Sequence, residues 1–371
     1  MTLKIPRTLG LFAALLLLLA DCGDPTPIEI GFIGGLSGRV ADLGVTALDG
    51  VRLAIEDQNR KGGIGGRPIQ ILTEDDRQDE EAAKAAFETL AQHGVEAIIG
   101  PMTSSVAVVL TPMANARKIT MISPTVTTRD LAGEDDYFLR VIADTRQYAE
   151  ASAKFQYEQR GLKSFVIVAD TVNHAYTESW TQDFRAAFQA LGGRIVSTLP
   201  FKSGMVGDFA ALARQTVQSH ADAVLILGNA ADAAQICQQI RLVDAKIPLV
   251  TSEWAATERF VELAGAAAEG VFTAQFVDRE SDQEPYRSFR RLYLDRYQQE
   301  PGFAGIAGYD AATVLIAALR QRRSGESVRD TILRLGDFTG LQGPIHIDRF
   351  GDSWRPTYIT VIKNGKYVRA N

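Results

Sequence analysis

Residues Ile98 to Thr127 read IIGPMTSSVAVVLTPMANARKITMISPTVT, and this stretch decides the fold. Ile98 and Ile99 end an apolar strand that Gly100-Pro101 breaks. Thr103-Ser104-Ser105 offers hydroxyl caps for a helix whose apolar positions are Val106, Val109, Leu110 and Met113. A second apolar strand, Ile119 to Ile122, follows and ends at Ser123-Pro124. In a parallel sheet both loops would lie at one edge, past the carboxyl ends of neighbouring strands, where ligands of open α/β sheets bind. A helix start with free N–H groups and nearby hydroxyls suits an anion the size of a carboxylate. The alternative for Ser104 and Thr127 is local: hydroxyls at such positions also simply cap helices and turn the chain.

Toward the N-terminus the pattern repeats. Ile28 to Ile33 reads as a strand after the tether Asp24-Pro25-Thr26-Pro27. The loop Gly34-Gly35-Leu36-Ser37-Gly38 precedes an amphipathic helix from Thr46 to Asn59. Its glycines lack GxGxxG spacing and the helix starts well after them, so a dinucleotide site does not fit. Strand Ile69 to Thr73 and a helix from Asp79 to Gln92 come next, the order of a parallel sheet wrapped by helices. Glu74-Asp75-Asp76 reads as strand-end and helix-start acids rather than a metal site.

Toward the C-terminus, Tyr137 to Asp144 reads as an extended crossing, followed by a helix from Arg146 to Gln159 and strand Ser164 to Ala169, where the α/β alternation restarts. Strands are expected at 194–199, 223–227 and 249–252, the last ending at Glu253-Trp254, with helices at 208–220 and 232–242. Val271 to Val277 reads as a second crossing and Asp348 to Trp354 as a third. Helices at 286–297 and 311–322 and a closing pair of strands, 358–363 and 367–369, complete the chain.

A length of 371 residues suits two domains, and 46% hydrophobic with 23% charged residues is ordinary for a globular chain. The net charge of −6, with signs interspersed, offers no basic patch for nucleic acid. The two cysteines, Cys22 and Cys237, and the four scattered histidines have no metal-ligand spacing, so no metal and no cofactor are expected. Cys237, in AAQICQQIR, reads as a small core residue.

Residues 1–22 read as a targeting leader. Lys4 and Arg7 precede an apolar run from Leu9 to Ala20, of signal-peptide length. The run ends Leu19-Ala20-Asp21-Cys22, which resembles a lipobox with Cys22 as the lipidated residue, although Asp21 stands where Gly, Ala or Ser is usual. Lipidation at Cys22 and ordinary cleavage nearby both place the mature chain in the periplasm or on the cell surface, with contact to the membrane through a lipid anchor only. No other segment reads as a transmembrane helix.

Strung together, GFIGGLSG, DGVRLAIEDQNRKGGIGGRPIQILTEDD, IIGPMTSS, MISPTVT and DFAALARQTVQSHADAVLILG, with the strand-end Glu253, resemble the type I periplasmic binding proteins of the leucine/isoleucine/valine-binding branch, in order and over essentially the whole mature chain. The resemblance implies an α/β fold of two lobes, each a parallel sheet with helices on both faces, joined by three interlobe crossings. Lobe 1 would comprise 23–143 plus 275–347 and lobe 2 144–274 plus 348–371. A ligand would be clamped in the cleft, and a monomer is the default.

By the same resemblance, Ser104 and Thr127 would hold an amino acid's carboxylate. The carbonyl of Thr125 and the hydroxyl of Thr127 would meet its ammonium, and Glu253 from the facing lobe would supply the negative charge. An unpaired buried charge is prohibitive, so the ammonium needs such an acid. Without the resemblance, Glu253 reads rather as a solvated loop carboxylate. Tyr176 would reach into the cleft, or else pack the start of its helix, where the usual following glycine is replaced by Thr177. Asn229 stands where the branch places a second cleft tyrosine. Leu43, Met102 and Thr103 would wall the pocket on one side, and Phe303 or Ala304 on the other. A ligand without an ammonium would require Glu253 to be protonated or paired with Arg39 or Arg129.

The function expected is the solute-binding component of an ABC importer, binding a branched-chain or other apolar amino acid by hinge closure and presenting it to a membrane permease. The alternative is a sensor subunit that binds an amide or carboxylate and signals to a membrane receptor. No GxSxG elbow, recognisable Ser–His–Asp set or metal cluster points to an enzyme.

Overall fold

The computed structural model describes residues 26–204 and 209–370. The leader and Cys22 lie outside the described residues.

Two twisted sheets form the framework. The first has five parallel strands in the order β2-β1-β3-β4-β5: β1 (Ile28–Gly34), β2 (Ile69–Asp75), β3 (Ile98–Ile99), β4 (Met121–Ser123) and β5 (Phe138–Arg140). Helices α1 (Ala41–Arg60), α2 (Glu80–His93) and α3 (Ser104–Arg117) connect its strands. The short strands are mostly apolar because both faces are covered; Ile98, Ile99, Met121 and Ile122 are fully buried.

The second lobe opens with α4 (Thr145–Lys154). It continues through β6 (Ser164–Asp170), α5 (His174–Ala190), β7 (Arg194–Phe201), α6 (Phe209–Gln218), β8 (Ala223–Leu227), α7 (Ala230–Val243), β9 (Leu249–Thr251), α8 (Glu258–Ala264) and β10 (Phe272–Gln275). The chain then returns to the first lobe with α9 (Glu284–Tyr297), α10 (Gly302–Gln321) and α11 (Val328–Leu335). A small antiparallel sheet follows, of β11 (Asp337–Gly340), β12 (Gly343–Ile347) and β13 (Ser353–Trp354). The hairpin β14 (Tyr358–Lys363) and β15 (Lys366–Arg369) completes the second sheet, whose order is β15-β14-β10-β9-β8-β6-β7. Here β14 runs antiparallel to β10 while β6 to β10 are mutually parallel.

The chain thus passes between lobes three times, each passage shorter than its sequence suggests. Strand β5 takes up part of the first expected crossing, and β10 most of the second. Residues 348–354 stay with the first lobe: Arg140 N–H donates to the Gly351 carbonyl, its guanidinium to Asp352, and β13 pairs β12. The third passage is residues 355–357, anchored by a fully buried ion pair between Arg355 Nη1 and Asp310 Oδ2 at 2.5 Å.

Helix α1 begins five residues before the expected Thr46, and α10 nine before the expected Ala311. The two cross at glycines. A Cβ on Gly308 would lie 2.2 Å from the Ala47 carbonyl oxygen, and one on Gly50 2.1 Å from that of Gly305. Helix α10 is long and apolar enough to cross a membrane by composition, contrary to the expectation that no segment beyond the leader is. Most of it is buried between α1 and the first sheet, so it is a core helix. Cys237 is likewise core: it is fully buried on α7, and burial pushes its thiol up to about 12.

Candidate functional site

The site forms where the carboxyl edges of the two sheets face each other. On the first lobe, β3 ends at Gly100, whose φ of +122° and approach to the Ile33 carbonyl exclude a side chain. The turn delivers Met102 and Thr103 to the cleft and starts α3 at Ser104. Thr103 occupies the N-cap position but makes no side-chain cap bond, so the expected local hydroxyl cap is not formed. Ser123 Oγ instead braces the turn by donating to the Pro101 carbonyl (2.7 Å), and Thr125 Oγ1 donates to the Met102 carbonyl (2.6 Å). Ser104 Oγ accepts from the Thr128 N–H at 3.3 Å. These bonds fix the two loops to each other from within one lobe.

On the second lobe, β6 leads into α5, which carries Tyr176 and, one turn on, Trp180. Strand β9 ends at Ser252, and the next turn projects Glu253 and Trp254. Glu253 is 3% exposed. Its Oε2 accepts the Trp180 indole N–H at 2.9 Å and its Oε1 accepts the Thr127 hydroxyl, across the cleft, at 3.3 Å. Burial pushes its carboxyl up to about 7, against the opposing pull of Trp180 and its other donors. Tyr176 is held well above the ordinary phenol range by burial and by the Glu253 charge. Its hydroxyl lies within reach of Ser252 and Glu253 yet makes no well-formed hydrogen bond.

Between the lobes lies a small cavity of about 10 Å³ lined by Leu43, Met102, Ser104, Thr125, Asn173, Tyr176, Glu253, Trp254 and Phe303. Seven of the residues expected from sequence meet there; Asn173 and Trp254 join them. Thr127 sits behind the lining and touches the site through Glu253. Thr103 and Ala304 are buried beside it without lining it.

Asn229 is the clear departure. It is the N-cap of α7, its Oδ1 accepting from the Asp232 N–H at 3.0 Å and its Nδ2 donating to Ser203 and Asp232. An asparagine cap satisfies its own helix, so it does not replace a cleft tyrosine. Arg129 is also committed elsewhere: Nη1 meets Asp183 Oδ1 at 2.8 Å rather than Glu253.

The lobes are closed on each other around the cavity. Thr128 Oγ1 donates to the Ala175 carbonyl (2.9 Å), and the Arg129 N–H donates to Ser179 Oγ (3.1 Å). On the far rim Thr257 Oγ1 donates to Asp42 (3.1 Å). A buried acid, unsatisfied hydroxyl groups and apolar walls meet in the closed cleft, a lining chemically suited to a small molecule with one polar end once the lobes part to admit it, and no activated nucleophile is among the lining residues. The class defined by this fold and site is a two-lobed ligand-binding protein.

Comparison with known proteins places it further. The periplasmic binding protein family matches residues 27–366, and the chain belongs to that family. The Leu/Ile/Val-binding protein of Escherichia coli (strain K12) is 25% identical over 330 residues, 88% of each chain. The leucine binding protein LivK of Thermotoga maritima superposes with a TM-score of 0.85 at 25% identity, covering 93% of this chain and 98% of that one. The branched-chain amino acid transporter substrate binding protein LivJ of Streptococcus pneumoniae, in complex with isoleucine, gives 0.85 at 25% identity, covering 92% and 98%. The resemblance to the leucine/isoleucine/valine-binding branch read from the motifs therefore stands, as does the two-lobed α/β fold.

Proposed function

We propose that this chain is the substrate-binding component of an ABC importer that takes an α-amino acid with an apolar side chain. The observation that carries the reading is Glu253, a carboxyl buried in a closed cleft with no cationic side chain bonded to it among the described residues. A ligand ammonium would supply that cation, and an ionised group buried without one is strongly disfavoured. Thr125 and Thr127 are positioned to complete the ammonium site, and Ser104 with the first turn of α3 to take the carboxylate. Leu43, Met102, Phe303 and Trp254 offer the side chain an apolar enclosure. The names of the relatives, which bind leucine, isoleucine and valine, favour the same class. Closure about the three crossings would present the loaded form to a permease. Binding is the whole of the activity.

A thermal-shift panel on residues 23–371 tests the ligand class, with the twenty amino acids, small amides, and aliphatic and aromatic carboxylates. A ligand at one hundred times its Kd adds about 2.7 kcal/mol. Aliphatic α-amino acids are expected to raise the midpoint. A shift with carboxylates alone, or with nothing in the panel, would overturn the amino-acid reading.

The family works outside the cytoplasm. We assign Cys22 as a lipid-anchored first residue of the mature chain. Cys22→Ser should move the full-length protein from the membrane to the soluble fraction on expression in a bacterial host; a wild type already soluble after fractionation would rule the anchor out.

A further inference from the structure

Asn173 immediately precedes α5, at the N-cap position, where an asparagine ordinarily turns its side-chain oxygen onto the N–H groups of its own helix. It does not do so here. Its backbone is held in place locally, the N–H by Asp170 and the carbonyl by the N–H groups of Tyr176 and Thr177. The side chain reaches across the cleft instead. Oδ1 accepts the Ser105 N–H, in the first turn of α3 on the opposite lobe, at 3.0 Å. That bond fixes the amide's orientation by its oxygen. Asn173 is 4% exposed and lines the cavity beside Ser104 and Tyr176, and Nδ2 has no hydrogen-bond partner among the described residues. An amide donor left without an acceptor on a residue that lines the cavity is a group that a ligand can satisfy.

We infer that Asn173 is a carboxylate-binding residue of the ligand site. Its Nδ2 donates to the ligand carboxylate held at the first turn of α3, while Oδ1 stays on the Ser105 N–H. One side chain from the second lobe thus grips both the helix and the anion bound to it. Carboxylate recognition is complete only when the lobes have met, which ties the ligand's acid group to closure. The neighbouring bonds of Ser105 Oγ, which accepts from the Ala175 N–H at 3.2 Å and lies 3.4 Å from His174 Nδ1, hold the two surfaces in register. The inference rests on the proposed reading for the ligand's carboxylate but not for its amine.

The test is Asn173→Asp in the mature protein, titrated calorimetrically with L-leucine, L-leucinamide and 4-methylpentanoate. The variant keeps an oxygen for Ser105 N–H and turns the donor into an anion. Leucine or 4-methylpentanoate, whichever the wild type binds, should lose at least about 100-fold in affinity, while leucinamide, which has no carboxylate, keeps or gains affinity. Asn173→Ala should show the same preference with a smaller loss. A loss equal for the acid and the amide, or no loss at all, would make Asn173 a structural residue and overturn the inference while leaving the amino-acid reading intact. Binding of 4-methylpentanoate without leucine would overturn that reading and leave Asn173 to be judged on the carboxylate. A wild type that binds neither acid overturns both.

Discussion

Titration of Glu253→Gln with the tightest amino-acid ligand is expected to show binding weaker by about 2–5 kcal/mol, a factor of roughly 30 to a few thousand. Glutamine keeps the shape and a carbonyl oxygen for the Trp180 indole, so the loss isolates the charge that would face an ammonium. The pH dependence sharpens the test. Burial holds the carboxyl near 7 in the ligand-free closed cleft. Below that pH the group is protonated before the ligand arrives, and wild-type affinity should fall about tenfold per pH unit. In Glu253→Gln the same profile should be flat. The ligand-free protein moves the other way. A carboxyl raised from its ordinary 4.5 contributes stability that is full below the ordinary value and is lost as pH rises through about 7. The variant without ligand should therefore be at least as stable as wild type at pH 8. Equal affinities in the two proteins would remove Glu253 from the ligand site.

Asp310→Ala should lower the stability of the ligand-free protein by about 3–5 kcal/mol in urea unfolding. Asp310 is fully buried on α10, and its two oxygens serve different parts of the chain. One pairs with Arg355 Nη1; the other accepts the Leu341 N–H at 2.8 Å. Alanine strands the Arg355 guanidinium in the interior, over the Phe276 ring at 4.9 Å and with its second amino group already unpartnered. The Arg355 carbonyl also accepts from Gln147 on α4, so the damage falls on the passage between the lobes. Replacing both partners together, Asp310→Leu with Arg355→Met, should recover most of the loss, because the penalty is the uncompensated charge. A single variant as stable as wild type would mean the pair contributes nothing to the fold.

Much of the site was legible because its residues sit at strand ends and helix starts, where loop punctuation marks them. Ser104 is found in this way, whereas Thr125 and Glu253 are assigned only through the resemblance to the binding-protein family. Asn229 misled because its position was compared with a tyrosine, although an asparagine three residues before Asp232 carries an N-cap signature of its own. Trp180 was open to discovery, since it lies four residues after Tyr176 on one helix face. Asn173 was not: nothing local tells that a cap residue will turn from its own helix to another lobe's. Helix α10 was read short because Gly302, Gly305 and Gly308 weaken its helical signal. Their reason is the close approach to α1, which exists only in the folded chain. The crossings were misjudged for another cause: β5, β10 and β13 are strands of only two to four residues, too short to show a period of their own.

Neither lobe is a continuous piece of chain, and this bears on how the protein is made. The first sheet is finished by residue 140, but its covering helix α10 ends only at Gln321. The second sheet waits for β14 and β15, which end at Arg369. A ribosome adding about 5–20 residues each second therefore releases most of the polypeptide before the α10 side of the first sheet is covered or the second sheet is complete. Contacts so distant in sequence are also slow to form. For a chain of a family that works outside the cytoplasm, interleaved lobes are a built-in delay: neither lobe can be completed until nearly the whole polypeptide has been made.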